Sequence, residues 1–190
     1  MSDSRWSDVE ADVEQALKHF GMAIEIFEAG GFDDPGVEGY KSTSAFKQGM
    51  DAGYTAVERG IEGILSILGE ELPTGRDFHK VLLDRVTRPL IGDHARPAIF
   101  GEDLKQDLLE ALRMRHRVRH STYDEFIPHK AEPAVEAARK IIACIRDAIA
   151  EFKEKIDPEP KDVNDGGDGA GGGAAGGHPS RGTDTKKTAR

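Results

Sequence analysis

Arg115, His116 and His120 lie within six residues of one another, and their types suit phosphodiester chemistry. RNA can be cleaved by its own 2′-hydroxyl group, without a metal ion and without a covalent enzyme intermediate. That reaction needs a group that takes or gives protons near neutral pH, which histidine supplies. It also needs a fixed cation against the charged phosphate, and arginine suits that role best. Arg115 and His120, with His116 between them, are therefore candidate catalytic residues.

The arginines around this set are candidates for a second role. Arg113, Arg117 and Arg119 could hold the phosphates that flank the cleaved bond. One geometric condition applies to the catalytic pair, since five residues correspond to about 140° around a regular helix. Arg115 and His120 converge only if the helix ends or bends near His120, or if a second subunit completes the cleft.

The two histidines allow other interpretations, which stay open at this point. His116 and His120 are one helical turn apart, a spacing that suits two metal ligands. A third ligand would have to come from His79 or Asp124, and no HExxH motif is present. The plainest alternative is a pair of solvated histidines on a basic helix. We predict no metal site and no cofactor.

These residues lie on a helix predicted over residues 102–120, whose apolar residues form one stripe. Arg115 falls in the middle of that stripe and Arg119 inside it. A buried arginine is costly unless it is paired or faces a polar cleft. Glu58 lies on the inward face of an earlier predicted helix, so we predict an ion pair between Glu58 and Arg115. Such a pair could also serve only to join the two helices.

Apolar periodicity predicts about five helices in all. The first begins at Ser7 with a capping box and ends at Gly30–Gly31, followed by a loop over residues 32–42. The second runs from about Ser44 to Leu68, and its glycines could permit close helix packing. The others are predicted over residues 76–86 with Phe78, Val81 and Leu82 inward, over residues 102–120, and from Pro133 with a stripe from Val135 to Phe152. The fold class is an all-α, up-down helical bundle.

The chain divides into a helical domain over residues 1–156 and a tail over residues 157–190. The tail is rich in glycine and lacks aromatic residues, leucine and isoleucine, so we predict that it is disordered. Cys144 is the single cysteine, which excludes an internal disulfide framework. The sequence shows neither a membrane-spanning run nor a secretory signal, which fits a cytoplasmic protein with no membrane partner.

Charge is distributed unevenly along the chain. The formal net charge of −9 comes from 26 Lys and Arg against 35 Asp and Glu, which by itself argues against nucleic acid as a partner. Residues 1–75 hold 5 Lys or Arg against 15 Asp or Glu, whereas residues 76–120 hold 10 against 7. We therefore expect an acidic surface on the first two helices, which could receive a basic partner, and a small basic cleft around the candidate site.

The segment Arg115-His116-Arg117-Val118-Arg119-His120 resembles the signature of the HEPN superfamily. That signature is an arginine, a polar residue, three further residues and a histidine. The helix order agrees, because YTAVERGIEGILSILG, then LPTGRDFHKVLLDRV, then the motif helix, then a long amphipathic helix is similar to the HepT-like branch. The resemblance covers roughly residues 8–155.

The resemblance implies an all-α domain that dimerises and brings two motifs into one cleft. It also implies a metal-independent endoribonuclease, the toxin of a toxin–antitoxin pair, acting on RNA such as tRNA or mRNA. The partner of such toxins is often a nucleotidyltransferase-type antitoxin, which in some systems modifies a tyrosine just after the motif histidine. Tyr123 would be that residue here. It lies one position farther from His120 than in the usual spacing, so an aromatic packed at a helix end is an equal alternative.

A different class of function is kept beside the enzyme. A non-catalytic HEPN-like module would hold RNA or a nucleotidyltransferase partner without cutting. The two predict different products, since only the enzyme leaves cleaved RNA.

Overall fold

The computed structural model describes residues 4–92, 94–120 and 126–158, and the side chain of His120 lies outside that description. The described residues form five α-helices, with a turn of 3-10 helix at Pro128–Lys130 before the last one. The helices are α1 (Ser4–Ala29), α2 (Val37–Ile67), α3 (Phe78–Val86), α4 (Glu102–His120) and α5 (Glu132–Ile156). In this part of the chain the only β pairing is an isolated bridge between Leu90 and Arg96. The predicted all-α up-down bundle is confirmed.

Four of the helices close a ring around the core. α1 packs on α2 and α5, α4 also packs on α2 and α5, and α3 lies against α4. The largest buried side chains inside this ring are aromatic, and they include Trp6, Phe20, Phe46, Tyr54 and Phe152. The helix that carries the candidate catalytic residues is therefore one wall of the ring, with one face turned toward α2.

The last two helices form where the sequence predicts them. α4 spans Glu102–His120, and α5 has Pro133 in its first turn, where its missing N–H is not needed. The predicted stripe of α5 from Val135 to Phe152 is buried, except that Ile142 is half-buried.

The predicted starts of the first two helices are wrong. α1 begins at Ser4, so Ser7 lies inside the helix and cannot cap it. The extra turn contains Trp6, which is fully buried and donates from Nε1 to Asp157 Oδ2 at 3.4 Å. α2 begins at Val37 because a tight turn, in which Gly36 N donates to Asp34 Oδ1 at 2.6 Å, replaces the predicted loop. The burial of Trp6 extends α1 beyond the predicted capping residue, and the turn at Gly36 lets α2 begin earlier than predicted.

The third helix is also shorter than predicted, and its inward face is shifted. It begins at Phe78 rather than Arg76, and its buried residues are Leu82, Leu83 and Val86. Val81, predicted to face inward, is 43% exposed. The shift places His79 in register with the buried stripe, three and four residues before Leu82 and Leu83.

Ion pairs with α5 neutralise much of the acidic charge of α1. The pairs are Glu10 with Lys153 at 2.7 Å, Glu14 with Arg146 at 2.6 Å and Glu28 with Arg139 at 2.7 Å. The acidic surface expected from the charge count is therefore partly covered by cations from the other end of the chain.

No helix in the described ranges combines the length and the apolar character that crossing a membrane needs.

Asp157, at the predicted start of the tail, accepts a hydrogen bond from Arg5 Nη2 at 3.1 Å. The predicted disorder of the tail concerns residues that, from 159 onward, lie outside the described part.

Glycines let α1 and α2 approach each other closely, as predicted. A Cβ atom built on Gly53 would lie 2.7 Å from a ring carbon of Phe20, and one on Gly49 would lie 3.0 Å from Ala23 Cβ. At Gly60 the nearest atom would be 3.7 Å away, an ordinary contact. Phe20 is fully buried, so its ring has little room to move.

We expect Gly53→Ala to lower the free energy of unfolding, although alanine is the better helix former. Overpacking against Phe20 costs about 1–3 kcal/mol, whereas alanine adds at most about 1 kcal/mol of helix propensity. Gly60→Ala, in the same helix, keeps the propensity gain without the collision and should stabilise by up to about 1 kcal/mol. Urea unfolding of both variants measures the difference, and an equal gain in both would contradict the role given to Gly53.

Candidate active site

Arg115 lies on the buried face of α4. Its side chain is 7% exposed, and Leu108, Ala111 and Leu112 on the same face are buried. This is the position that the helical stripe predicted. A guanidinium without partners would carry a large desolvation penalty here, so its partners determine whether α4 can pack at all.

α2 supplies a cradle for this guanidinium. Arg115 Nε donates to Asp51 Oδ1 at 3.2 Å, and Nη1 lies 3.2 Å from Glu58 Oε2. The carbon at the centre of the guanidinium is 5.3 Å from the centre of the Tyr54 ring. Asp51, Tyr54 and Glu58 are spaced three and four residues apart, so one face of α2 presents all three. The predicted partner Glu58 is present, and Asp51 is a second carboxylate that the sequence analysis did not identify.

α3 contributes a histidine to the same cluster. His79 Nδ1 is hydrogen-bonded to Glu58 Oε1, and both ring nitrogens lie 3.2 Å from Arg115 Nη1. From the sequence, His79 is predicted only as a conceivable metal ligand. Its spacing from the buried Leu82, Leu83 and Val86 is the signal that could have placed it on the inward face.

The negative charge of Glu58 acts on its neighbours along α2. Burial, and then the Glu58 carboxylate, raise the pKa of Tyr54 above its ordinary value, while Arg115 opposes the shift. Burial and Glu58 likewise raise the pKa of Glu62, which His79 partly offsets. Tyr54 is therefore a neutral phenol across the physiological range.

Arg119 shares one carboxylate with Arg115. Its Nε donates to Asp51 Oδ1 at 2.8 Å and its Nη2 donates to Asp51 Oδ2 at 3.3 Å. The hydrogen bond to Asp51 raises the pKa of Arg119. Arg119 is 48% exposed, so the end of the predicted apolar stripe lies at the surface. A phosphate that bound Arg119 would have to compete with Asp51.

The two other arginines with a predicted phosphate role face outward. Arg113 is exposed and pairs with Glu110 one turn earlier in α4. Arg117 is exposed and donates from Nη1 to the carbonyl oxygen of Lys130 at 2.9 Å. The second contact joins α4 to the 3-10 turn before α5, and it leaves the charge of Arg117 without a carboxylate partner among the described residues.

His116 lies between the buried cluster and the surface. It is exposed, and its ring centre is 5.9 Å from that of His79 in an edge-to-face arrangement. His120 is the last residue of α4, and its side chain lies outside the described residues. Tyr123 and Asp124 also lie outside them. The structure therefore brings Arg115, His79 and His116 together, while the contact between Arg115 and His120 remains a prediction.

Two concavities adjoin His116, one on each side. The smaller, of about 210 Å³, is lined by Arg76, Asp77, His79, Lys80, Leu109, Leu112, Arg113 and His116. The larger, of about 450 Å³, is lined by Glu110, Arg113, His116, Arg117, Lys130 and Pro133. A third concavity, of about 550 Å³ between α1 and α5, contains none of the predicted site residues.

Metal binding by His116 and His120 is the alternative that their spacing leaves open. Across the part of the chain that the structure describes, no three His, Cys, Asp or Glu residues are grouped so that they could hold a metal ion. The described residues do supply a buried cation, two carboxylates and two imidazoles, and that set can bind a phosphate and move protons.

The comparisons with known proteins identify one family. The model of the family described as HepT-like protein matches residues 45–156, which span α3, α4, α5 and most of α2. The chain belongs to the HepT-like family, which is part of the HEPN superfamily. No curated protein and no solved structure gives a significant match.

We expect Arg115→Met to destabilise the fold far more than Arg119→Met does. Removing the buried guanidinium leaves Glu58 and Asp51 without it, and breaking a buried pair costs about 3–5 kcal/mol. Arg119 uses the same Asp51 but is half exposed, so its loss should cost less than about 1 kcal/mol. The measurement is the free energy of unfolding in urea, and similar losses in the two variants would contradict a stabilising role for the Arg115 cluster.

Proposed function

We propose that the chain is a metal-independent endoribonuclease that cleaves RNA, such as transfer RNA or messenger RNA. Its HepT-like family is related to ribonuclease toxins, which supports RNA as the substrate class. The reaction is attack of a 2′-hydroxyl oxygen on the adjacent phosphorus, followed by departure of the 5′-oxygen. The products are a 2′,3′-cyclic phosphate and a 5′-hydroxyl group, and no metal or cofactor takes part.

The three signature residues of the motif each have a role in this reaction. His120 takes a proton from the 2′-hydroxyl or returns one to the departing 5′-oxygen, and His116 is positioned to assist. Arg115 stabilises the charge that develops on the phosphate in the transition state. Glu58 and Asp51 hold the guanidinium in one orientation, so it does not reorganise during the reaction.

The observation that carries this proposal is the way in which Arg115 is held. Its Nε and Nη1 are occupied by α2 and α3, whereas Nη2 makes no hydrogen bond to any described residue. A guanidinium has five N–H donors, and Nη2 carries two of them. Arg115 lines neither concavity beside His116 and its side chain is 7% exposed, so we propose that a phosphate reaches the two Nη2 donors at the dimer cleft.

A homodimer would bring the arginine and the histidine together. α4 remains helical through His120, so positions 115 and 120 lie about 140° apart around one helix. In a two-fold dimer, Arg115 of one chain could meet His120 of the other. The cleft would then contain two equivalent composite sites.

We expect two inactive variants to restore activity when they are mixed. Arg115→Lys keeps a positive charge beside Asp51 and Glu58 but loses the planar guanidinium. In a heterodimer of Arg115→Lys with His120→Ala, one composite site keeps both wild-type residues. Random pairing should therefore return about a quarter of the wild-type rate. Subunits are exchanged under mild denaturant and RNA cleavage is then measured. No recovery, in a mixture shown to contain heterodimers, would contradict the composite site.

Biologically, we propose that the chain is the toxin of a toxin–antitoxin pair. A nucleotidyltransferase-type antitoxin would neutralise it, either by masking the cleft or by modifying Tyr123. Growth arrest on expression, relieved by His120→Ala, is the cellular counterpart of the cleavage assay.

In buffer containing EDTA, the wild-type protein should cleave RNA and His120→Ala should be slower by about 10²- to 10⁴-fold. The matched control is His94→Ala, an exposed histidine that borders neither concavity beside His116. It should cleave at the wild-type rate. RNA with 2′-O-methyl groups should not be cut by any of the proteins, because its 2′-oxygen cannot attack.

The controls separate three outcomes. Equal rates for wild type and His120→Ala would contradict the catalytic role proposed for His120. Activity that disappears in EDTA would indicate metal dependence instead of the proposed chemistry. Saturable RNA binding without any cleavage would favour the second candidate function.

That second candidate is a non-catalytic HEPN-like module that holds RNA or a nucleotidyltransferase partner. One observation favours it, because Asp51 and Glu58 already compensate the charges of Arg115 and Arg119 within the chain. A guanidinium neutralised by carboxylates attracts a phosphate less strongly than a free one. The cleavage assay decides between the two candidates.

A further inference from the structure

We propose that single-stranded RNA crosses α4 along a track of cations that has His116 at its centre. The track consists of Arg76 and Lys80 on one side, Arg113 beside His116, and Arg117 and Lys130 on the other. It rests on the proposed RNA substrate, and it assigns Arg76, Lys80 and Lys130, which the sequence analysis did not connect with the site.

Three cations of the track have no carboxylate partner in the described part of the chain and can bind a ligand. Most lysines and arginines in the described ranges are committed to carboxylates, as in the pairs between α1 and α5. Arg76, Lys80 and Lys130 are exposed and have no carboxylate partner among the described residues. A ligand can therefore bind these three cations without breaking an ion pair within the described residues.

The cations of the track lie around two adjoining concavities. The two concavities share Arg113 and His116, so the cations around them form one continuous row across α4. The other cations that lack a carboxylate partner line neither concavity, and they lie on α1, on α2 and at the carboxyl end of α3. They are Lys18, Lys47, Arg85 and Arg88.

The surface around the two concavities has a positive net charge. The residues lining the two concavities include five Lys or Arg and two carboxylates, Asp77 and Glu110, a formal charge of +3. The whole chain carries −9. A polyanion is therefore attracted to this strip and repelled by the average surface.

The shape of the strip favours a flexible single strand. The cations are spread in a row on both sides of an imidazole, which suits successive phosphates rather than one isolated anion. Leu109, Leu112 and Pro133 supply apolar surface in the same concavities, against which unpaired bases can pack. Arg119 lies outside the track, since it lines neither concavity and is bound to Asp51.

The segment that presents Lys130 is held firmly against the bundle. Phe126 packs on Phe32 and Phe46, with ring centres 5.0 and 5.3 Å apart. Arg117 donates to the carbonyl oxygen of Lys130, and Lys130 itself is exposed. Replacing the ammonium group of Lys130 should therefore not disturb the backbone.

The test measures binding separately from cleavage. A labelled single-stranded RNA with 2′-O-methyl groups throughout is titrated with protein over a range of salt concentrations. The track variant carries Arg76→Gln, Lys80→Gln and Lys130→Gln. The control variant carries Lys18→Gln, Lys41→Gln and Lys155→Gln, which are exposed positions outside both concavities, and it has the same net charge.

We expect the track variant to bind at least about tenfold more weakly at low salt. Its slope of log affinity against log salt should become shallower by about 2, since each phosphate contact on a single strand contributes about 0.7. The control variant should keep the wild-type slope. Equal losses in both variants would overturn the track, because they would reflect the overall charge alone.

Two further outcomes would also overturn it. The first is that the wild-type protein does not bind the RNA at all. The second is that polyglutamate competes as well as RNA does, which would indicate an acidic protein as the ligand. Failure of catalysis is distinguishable, since unmodified RNA then stays intact while the binding difference between the two variants persists.

Discussion

The buried guanidinium of Arg115 is the interaction on which the arrangement of α2, α3 and α4 depends. It contacts Asp51 and Glu58 on α2 and His79 on α3. Apolar faces alone tolerate small shifts of one helix along another, whereas a buried charge must meet its partners or become very costly. The pairing therefore selects one register of α4 on α2. The same register places His116 at the surface between the two concavities.

The parts of the fold that were predictable from the sequence are those in which the local pattern and the tertiary contacts agree. α4 and α5 have long apolar stripes, and their boundaries were predicted closely. The start of α1 was missed because Ser7 offers a good capping box, while the burial of Trp6 extends the helix past it. The start of α2 was missed because the turn at Asp34 and Gly36 is shorter than its composition suggested. In both cases a contact with distant residues or an unusual turn overruled a local preference.

The candidate site was predictable to the extent that it lies on one helix. Arg115 stands out because a cation interrupts an apolar stripe, and Glu58 stands out for the matching reason on α2. Asp51 and His79 could not be found in this way, since their role depends on where α2 and α3 lie against α4. Asp51 gives no signal by itself, whereas His79 follows the period of Leu82, Leu83 and Val86. The network joins three helices, so it depends on how those helices pack. Residue spacing along the sequence reveals only the charged residues that interrupt an apolar stripe.

The carboxylate of Asp51 serves two arginines that differ greatly in exposure. Its Oδ1 oxygen accepts from both Arg115 and Arg119. The more strongly Arg119 holds this oxygen, the less negative potential remains for Arg115. Position 119 is at the surface, where substitution disturbs no packing. Sequence change there can therefore adjust the electrostatic potential of a buried group one turn away, and related chains could differ in anion affinity while keeping identical cores.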